Sequence, residues 1–339
     1  MQNKIVNRIA KLTLIGCCLI GISQANAVID LDTQNVTISG LSSGGYMAAQ
    51  FHYAHAEIIS GVGIIAAGPY NCAQGSLQTA FAQCIAQAPE NFAANIINPY
   101  LDEPQLIAPA SALQNDKVWL LHGELDTRIV RGVSDGLFAQ YSETLDSSNL
   151  AYVTDKKYAH VFPTDAFGET CEASNSPFIG NCDFDAAGEL LFHILGKLND
   201  RVNTENSLKK GKLMKIEQSD LADIDSTSLH NNGFLYVPNS CTEGVKCKLH
   251  ISFHGCNQAI DNVDDTYAKH NGINRWAATN NMVVLYPQIK GSSVFPMNPQ
   301  SCWDWWGYTD ENYANKNGKQ IKAIKQMIDN LSNFLNQPK

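Results

Sequence analysis

One short stretch of the sequence has the residue types of a serine nucleophile. Residues 36–51 read VTISGLSSGGYMAAQF, and residues 40–44 (GLSSG) match the pattern G-x-S-x-G between an apolar strand and a helical pattern. A sharp turn of this kind raises the hydroxyl of its central serine above the sheet. We therefore predict that Ser42 is the nucleophile and that Ser43 offers its backbone N–H to an oxyanion. The alternative is a glycine-rich turn capped by serine.

A nucleophilic serine needs a general base, and the base needs a carboxylate that orients it. Residues 117–130 read KVWLLHGELDTRIV, which places Asp126 in the loop after an apolar strand, with Glu124 as the weaker candidate. His160 is the first histidine after Asp126 and follows the next strand. Each residue alone would be interpreted as a surface carboxylate or a structural imidazole. Their order and their places at strand ends predict a triad with Ser42.

The second donor to an oxyanion usually lies in a His-Gly loop after a strand that precedes the nucleophile. No such loop precedes Ser42, but residues 248–258 (KLHISFHGCNQ) contain one, in which Cys256 would donate its backbone N–H. Joining the end of the chain to the strand at 36–39 restores the usual order of these elements. This arrangement predicts a circularly permuted α/β-hydrolase fold.

The elements that would position these residues alternate along the chain. Helical patterns occupy 46–55, 186–198, 266–280 and 319–335, and apolar runs predict strands at 36–39, 61–67, 117–122, 150–154, 234–238, 248–254 and 282–287. Nearly continuous apolar strands that alternate with helices predict a mostly parallel sheet covered by helices on both faces. The polar passage 199–232 is either a linker or a segment packed on the domain.

The first 27 residues have the features of a secretory signal peptide. Three basic residues precede an apolar run, and residues 25–27 (ANA) fit a cleavage site before Val28. The run is too short for a transmembrane anchor, and a lipoprotein signal ending at Cys17 is the alternative. Removing this segment leaves 21 basic against 33 acidic residues, a net charge of −12. Such a surface disfavours nucleic acid and anionic membranes as partners.

Eight cysteines remain after the leader, an even number that suggests disulfides in an exported chain. Short separations favour three pairs and leave a fourth by elimination: Cys72–Cys84, Cys171–Cys182, Cys241–Cys247 and Cys256–Cys302. A zinc site is the alternative interpretation, because Cys247 and Cys256 flank His250 and His254.

An aromatic cluster follows Cys302 directly. Trp303, Trp305 and Trp306 can form an apolar wall for a substrate, to which Tyr46 and Tyr308 can add. Packing in the core is the alternative, above all for Trp303. In an extended segment Trp303 and Trp305 would share one side and Trp306 would lie opposite.

The motifs GLSSGGYMA, HGELDTRI, AHVFPTD, SPFIGNCDFDAAGELL, FHGCNQ and CWDWW together resemble secreted poly(3-hydroxybutyrate) depolymerases of the single-domain, circularly permuted α/β-hydrolase type. The resemblance implies Ser42, Asp126 and His160 as the triad, and the N–H groups of Ser43 and Cys256 as the oxyanion hole. It implies a serine esterase that needs no metal or cofactor.

The resemblance also implies one catalytic domain at 28–339, which we expect to be a monomer acting on a polyester. Many bacterial members carry a linker and a polymer-binding domain that this sequence does not include. Two rival functions remain: a secreted esterase of feruloyl or acetyl esters of plant polysaccharide, and a non-catalytic binding protein on the same scaffold.

Overall fold

The computed structural model of the chain describes residues 28–86, 103 and 105–337. The predicted signal peptide at 1–27 lies outside the described residues. The strands of the described part, numbered in chain order, are β1 Leu31–Leu41, β2 Ile59–Ile65, β3 Lys117–Leu121, β4 Leu150–Val153, β5 Phe162–Thr164, β6 Glu169–Thr170, β7 Ile179–Asn181, β8 Gly211–Glu217, β9 Asn232–Pro238, β10 Cys247–Phe253 and β11 Met282–Tyr286.

The α-helices of the described part are α1 Ser43–His55, α2 Leu77–Gln83, α3 Ala110–Leu113, α4 Arg131–Ser142, α5 Ala186–Leu195, α6 Thr204–Lys210, α7 Ile260–Val263, α8 Thr266–His270, α9 Ile273–Ala277 and α10 Lys319–Leu335. Three short 3₁₀ helices span Ser147–Asn149, Gln218–Asp220 and Asn239–Glu243. None of these helices has both the length and the apolar character needed to cross a bilayer.

The main sheet has eight strands in the order β4-β3-β2-β1-β10-β11-β9-β8. The neighbouring strands β4, β3, β2, β1, β10 and β11 are parallel to one another. At the other end of the sheet, β9 is antiparallel to both β11 and the edge strand β8. Strands β5, β7 and β6 form a separate small sheet. Each predicted strand of the main sheet is present, and the prediction of a mostly parallel α/β fold is confirmed.

Both faces of the sheet are buried at its centre, which explains why several of its strands are nearly continuous apolar runs. Ile38 and Val62 belong to one buried cluster, while Leu41 and Ile65 belong to another. The C-terminal helix α10 covers the first cluster with one apolar face, in which buried residues recur three and four positions apart: Ile321, Ile324, Ile328 and Leu331.

One alternative is decided and one expectation for secondary structure was wrong. The polar passage 199–232 packs on the domain, as its apolar residues suggested, because it contains α6 and the edge strand β8, in which Gly211 and Ile216 are buried. The helix expected at 266–280 is divided into α8 and α9. Gly272, with φ +91°, separates them, and a residue in the left-handed region cannot continue a right-handed helix.

The chain is circularly permuted. Strand β1, at the beginning of the described chain, is central in the sheet and lies between β2 and the late strand β10, with Gly40 opposite Ile64 and Phe253. The two ends of the described chain meet. The N–H of Ile29 donates to Oδ1 of Asn336 at 2.8 Å, and Nδ2 of Asn336 donates to the carbonyl of Ile29 at 3.1 Å.

Four disulfides close loops around this sheet, and the predicted pairing is confirmed. The bridges are Cys72–Cys84, Cys171–Cys182, Cys241–Cys247 and Cys256–Cys302. The first three span 12, 11 and 6 residues, so they fasten local loops. The fourth spans 46 residues and joins two loops at the same end of the sheet.

Candidate active site

The predicted nucleophile lies on a strained turn between β1 and α1. Ser42 has φ +58° and ψ −123°, a conformation that a non-glycine residue adopts at a cost. The turn is also too tight for side chains at its flanks. A methyl group at Gly40 would lie 2.1 Å from the carbonyl oxygen of Gly44, and one at Gly44 would lie 2.3 Å from that of Phe253. These contacts explain the glycines of the motif.

The predicted base and its carboxylate are brought together by the loops after β3 and β4. Asp126 Oδ2 lies 2.7 Å from Nδ1 of His160, and the carboxylate is fully buried. Its other oxygen accepts the backbone N–H groups of Arg128 at 2.9 Å and Ile129 at 3.0 Å. Burial alone would raise the pKa of Asp126, but these hydrogen bonds outweigh it and lower that pKa.

The weaker carboxylate candidate has a different environment. Glu124 is exposed, and no hydrogen bond of the described residues joins it to His160.

The backbone N–H of His160 donates to Oγ of Ser174 at 2.9 Å, which holds the loop that carries the imidazole. Ser42 and His160 line the same cavity. The three residues of the predicted triad are therefore placed at one site.

The proposed oxyanion loop follows β10 and contacts the nucleophile turn. A methyl group built on Gly255 would lie 3.4 Å from Cβ of Ser42. Gln258 is fully buried and fixes this loop, because its Oε1 accepts the N–H of Gly255 at 2.7 Å while its Nε2 donates to the carbonyl of Pro177 at 2.8 Å. We did not predict this role of Gln258, although it belongs to the motif FHGCNQ.

The predicted oxyanion donors lie on either side of the nucleophile turn. Ser43 begins α1, Cys256 follows Gly255, and both line the cavity with Ser42. Within the part of the chain that the structure describes, no hydrogen bond uses the N–H of Ser43 or of Cys256. Two unused backbone donors beside a serine hydroxyl are suited to a developing negative charge.

The fourth disulfide fastens the oxyanion loop to the tryptophan segment. Cys256 is bonded to Cys302, and the N–H of the next residue, Asn257, donates to the carbonyl of Gln300 at 2.6 Å. These two connections hold the segment from which Trp305 and Trp306 reach the cavity.

Two of the three tryptophans line the cavity. The ring of Trp305 stacks on Tyr46 with centroids 4.9 Å apart, and Trp306 packs edge-on against Trp305 at 5.3 Å. Tyr46 also lines the cavity, but it presents only its ring, because its hydroxyl donates to the carbonyl of Cys84 at 2.5 Å. Tyr308, which we also expected at the wall, does not line the cavity, and its hydroxyl donates to the carbonyl of Cys302 at 2.8 Å.

The expectation that Trp303 contacts substrate is wrong for this structure. Trp303 is 0% exposed, does not line the cavity and packs against Phe253 with ring centroids 4.9 Å apart. The segment is not extended, so alternation does not separate its faces. Trp303 instead supports the site from below, since its backbone N–H donates to Oγ of Ser43 at 3.3 Å.

A buried aspartate shapes the tryptophan loop. Asp304 accepts the backbone N–H groups of Gly307 at 2.7 Å, Tyr308 at 2.9 Å and Thr309 at 2.8 Å. Burial raises the pKa of this carboxyl, although the hydrogen bonds oppose that effect. These bonds turn the chain sharply after Trp306 and hold its ring at the cavity wall.

The cavity has a volume of about 360 Å³ and is lined largely by apolar side chains. Three of them are unusually exposed for their type: Leu77 at 52%, Phe81 at 59% and Met297 at 63%. Leu77 and Phe81 lie on α2, inside the loop closed by Cys72–Cys84. Sequence reasoning missed these residues, because nothing in their local pattern indicates that they reach the cavity mouth.

The zinc interpretation of the cysteine and histidine pattern is wrong. Cys247 and Cys256 are bonded to other cysteines, so neither can act as a thiolate ligand. His250 belongs to β10, and its ring nitrogens lie 2.8 and 2.9 Å from Oγ1 of Thr37 and Oγ of Ser39 on the neighbouring strand β1. Burial lowers the pKa of His250 to about 3, so the ring stays neutral.

Comparison with known proteins identifies relatives over nearly the whole chain, although no family model matches it. A poly(3-hydroxybutyrate) depolymerase of Delftia acidovorans is 38% identical over 93% of this chain, which spans 64% of the length of that relative. A polyhydroxybutyrate depolymerase of Talaromyces funiculosus is 34% identical over 96% of this chain and 97% of the relative.

Solved structures agree with these relatives. The crystal structure of a PHB depolymerase from Penicillium funiculosum has a TM-score of 0.81 and 33% identity, covering 90% of this chain and 98% of that one. A serine-to-alanine variant of PHB depolymerase complexed with an R3HB trimer matches to the same extent. The family resemblance found in the motifs is confirmed. The chain belongs to the polyhydroxybutyrate depolymerase family and has its circularly permuted α/β-hydrolase fold.

Proposed function

We propose that this protein is a secreted serine esterase that hydrolyses the ester bonds of poly(3-hydroxybutyrate) or related short-chain polyhydroxyalkanoates. One observation carries the proposal. A serine on a strained strand-to-helix turn and a histidine hydrogen-bonded to a buried aspartate line the same apolar cavity. A protein that only binds its ligand has no need for this combination.

The proposed mechanism uses each group of the site. His160 takes the proton of Ser42 Oγ as the oxygen attacks the ester carbonyl carbon. Asp126 accepts the Nδ1 hydrogen, which directs Nε2 to the serine and stabilises the imidazolium that forms. The N–H groups of Ser43 and Cys256 stabilise the tetrahedral oxyanion, and losing one such donor typically lowers kcat by about 100- to 1000-fold.

The tetrahedral intermediate then breaks down. His160 gives its proton to the leaving alcohol, and an acyl-enzyme remains on Ser42. Water, activated by His160, attacks the acyl group and releases the acid. No step requires a metal ion or an organic cofactor.

The cavity wall supports a polyester substrate. Trp305 and Trp306 offer flat apolar surfaces, and the exposed Leu77, Phe81 and Met297 surround the mouth. A hydroxyalkanoate chain has an apolar side-chain edge and uncharged ester groups, which suits such walls. Relatives named for polyhydroxybutyrate, one of them solved with an R3HB trimer, support the same substrate. They do not favour a feruloyl or acetyl esterase of plant polysaccharide.

Hydrolysis of amorphous poly(3-hydroxybutyrate) by the chain from Val28 onward tests this function, with released hydroxybutyrate oligomers measured by chromatography. We expect Ser42→Ala to lower the rate by about 10⁴-fold or more with an unchanged melting temperature. Ser43→Ala, which keeps its backbone N–H, is the matched control and should retain most activity. An active Ser42→Ala beside an inactive Ser43→Ala would contradict the nucleophile assignment. Release of ferulate or acetate without any oligomer would contradict the substrate.

Export is part of the proposal. The leader at 1–27 and four disulfides in the described chain both suit an oxidising compartment. Mass spectrometry of the exported protein should find Val28 at its N-terminus, whereas a lipid-modified Cys17 would contradict this cleavage. We also propose that the catalytic domain is a monomer, which size-exclusion chromatography with light scattering tests.

A further inference from the structure

One cationic side chain lines the otherwise uncharged cavity. Apart from the imidazole of His160, Arg128 is the one lining residue among the described parts of the chain that can carry a charge at neutral pH. Its side chain is exposed, its guanidinium lies 5.2 Å from the centre of the Phe178 ring, and Nη2 donates to the carbonyl of Ser174 at 3.3 Å. One neutral acceptor leaves most of its five donors available.

The other described arginines form ion pairs with carboxylates, and Arg128 differs from them in this respect. Arg131 pairs with Asp135 at 2.7 Å, and Arg201 and Arg275 both pair with Asp165. Within residues 28–86, 103 and 105–337, no ion pair joins Arg128 to a carboxylate. A guanidinium that faces a substrate cavity without an anionic partner is suited to bind a carboxylate from solution.

Arg128 is connected to the loop that carries His160 and to Asp126. Its side chain donates to the carbonyl of Ser174, while Oγ of the same Ser174 accepts the backbone N–H of His160. Its own N–H donates to Asp126, the partner of His160. Because His160 must protonate the leaving alcohol, the alcohol half of the ester lies on the same side of the site as His160.

The chemistry of the polyester identifies what Arg128 can meet there. Each alcohol half of a 3-hydroxyalkanoate chain is itself a hydroxy acid, joined through its own carbonyl to the next unit or ending in a free carboxylate. The carboxylate is ionised at neutral pH. The chain from Val28 onward has 21 basic against 33 acidic residues, a net charge of −12, so it repels an anionic oligomer unless a local cation compensates.

We infer that Arg128 forms a carboxylate subsite that selects the free acid end of short 3-hydroxyalkanoate oligomers, so that ester bonds near this end are cleaved preferentially. This inference rests on the proposed polyester hydrolysis. It adds that soluble acidic oligomers are bound through an ion pair, whereas internal polymer segments are not. The enzyme would therefore shorten oligomers from the carboxyl end as well as cut polymer.

The test compares two forms of one substrate, the (R)-3-hydroxybutyrate trimer with a free carboxylate and its methyl ester. The measured quantity is the ratio of kcat/KM for the acid to kcat/KM for the methyl ester. We expect Arg128→Met to lower this ratio about tenfold, and Arg128→Lys to lower it less. Arg131→Met removes a nearby arginine that pairs with Asp135 and does not line the cavity, so it should keep the wild-type ratio.

Salt provides a second measurement that does not depend on a variant. In the wild type, raising NaCl from about 0.05 to 0.5 M should lower the ratio, because salt screens an exposed ion pair. In Arg128→Met this fall should disappear, and the ratio should stay constant or rise with salt, because salt also screens the repulsion between the acidic protein and the anionic trimer.

A ratio in Arg128→Met equal to wild type, or a wild-type ratio that is independent of salt, would overturn the inference. Equal losses on acid and methyl ester would overturn it as well. Failure of the proposed function is distinguishable, since the wild type would then hydrolyse neither the trimer, its methyl ester nor amorphous polymer.

Discussion

Nδ1 of His160 lies 2.7 Å from Oδ2 of Asp126, and this carboxylate is fully buried while its other oxygen is held by two backbone N–H groups. The carboxylate therefore cannot rotate away, and it fixes both the orientation and the tautomer of the imidazole. An amide at this position can keep the backbone contacts, but it offers a hydrogen to Nδ1 and so reverses the tautomer.

Asp126→Asn should lower kcat on a short p-nitrophenyl ester by about 10⁴-fold with little change in melting temperature. The exposed carboxylate of the same turn supplies the control, since Glu124→Gln should retain near wild-type kcat. An inactive Glu124→Gln variant beside an active Asp126→Asn variant would transfer the orienting role to Glu124.

Gln258→Ala should lower kcat by roughly 10- to 100-fold while KM changes less. The side chain holds Gly255 and with it the N–H of Cys256, an interaction that matters most in the transition state. Gln140 is an equally buried glutamine away from the cavity, where Oε1 accepts the N–H of Tyr70 at 2.7 Å. Gln140→Ala should lower the melting temperature without lowering kcat. Similar kinetic losses in both variants would show that Gln258 acts through general stability alone.

Trp306→Ala should depress polyester hydrolysis much more than hydrolysis of a p-nitrophenyl ester, because a polymer segment must also be held along the cavity wall. Trp303→Ala removes a fully buried ring and should cost about 3–5 kcal/mol of stability, with both activities lost through unfolding. Melting temperatures and both rates are measured on each variant. Equal rate losses on the two substrates for Trp306→Ala would leave the ring without a role in binding polymer.

Acid stability should depend on Asp165, which accepts hydrogen bonds from Arg275 and Arg201. Burial alone would raise the pKa of Asp165, but the two arginines outweigh it and lower that pKa to about 2. Because the pKa is lower in the folded chain than in the unfolded chain, the pair stabilises the fold above about pH 4. This contribution, about 2 kcal/mol, is lost as the pH falls towards about 2.

Asp165→Asn should therefore have a lower free energy of unfolding than wild type at pH 7. The difference in free energy of unfolding between the two proteins should become smaller between about pH 4 and 2. Urea titrations at several pH values measure it. Asp135→Asn breaks an exposed pair with Arg131 and should cost less than about 1 kcal/mol. A gap for Asp165→Asn that stays constant across this range would contradict the lowered pKa.

The parts of the fold that could be predicted are those that local pattern determines. Buried strands such as β2, β3 and β11 are nearly continuous runs of apolar residues and glycine, and these runs predict a parallel sheet. Strand β8 escaped prediction because it lies at the sheet edge, where Lys212 and Lys215 are exposed and the pattern is polar. Its pairing with β9 depends on the whole sheet rather than on its own sequence.

Some residues of the site could likewise be predicted from the sequence, and others could not. Ser42, Asp126 and His160 follow strands in an order that sequence can reveal. The separate positions of Trp303 and Trp306 depend on a loop folded around Asp304, which strand alternation does not describe. Arg128 and Phe81 reach the cavity only because distant loops converge there. Their functions have no local signature.

The pairing of β1 with β10 has a consequence for the order in which the protein becomes active. Gly40 lies opposite Phe253, so the nucleophile strand emerges from the ribosome long before its neighbour in the sheet exists. Ser42, Asp126 and His160 are all synthesised earlier than Cys256. A nascent or truncated chain that ends before β10 therefore contains every residue of the proposed triad but only one of the two oxyanion donors, and β1 lacks a partner on one side. Such contacts between distant parts of a chain form slowly and late in folding. We therefore expect full activity only from a chain that extends through β10 and the loop that follows it.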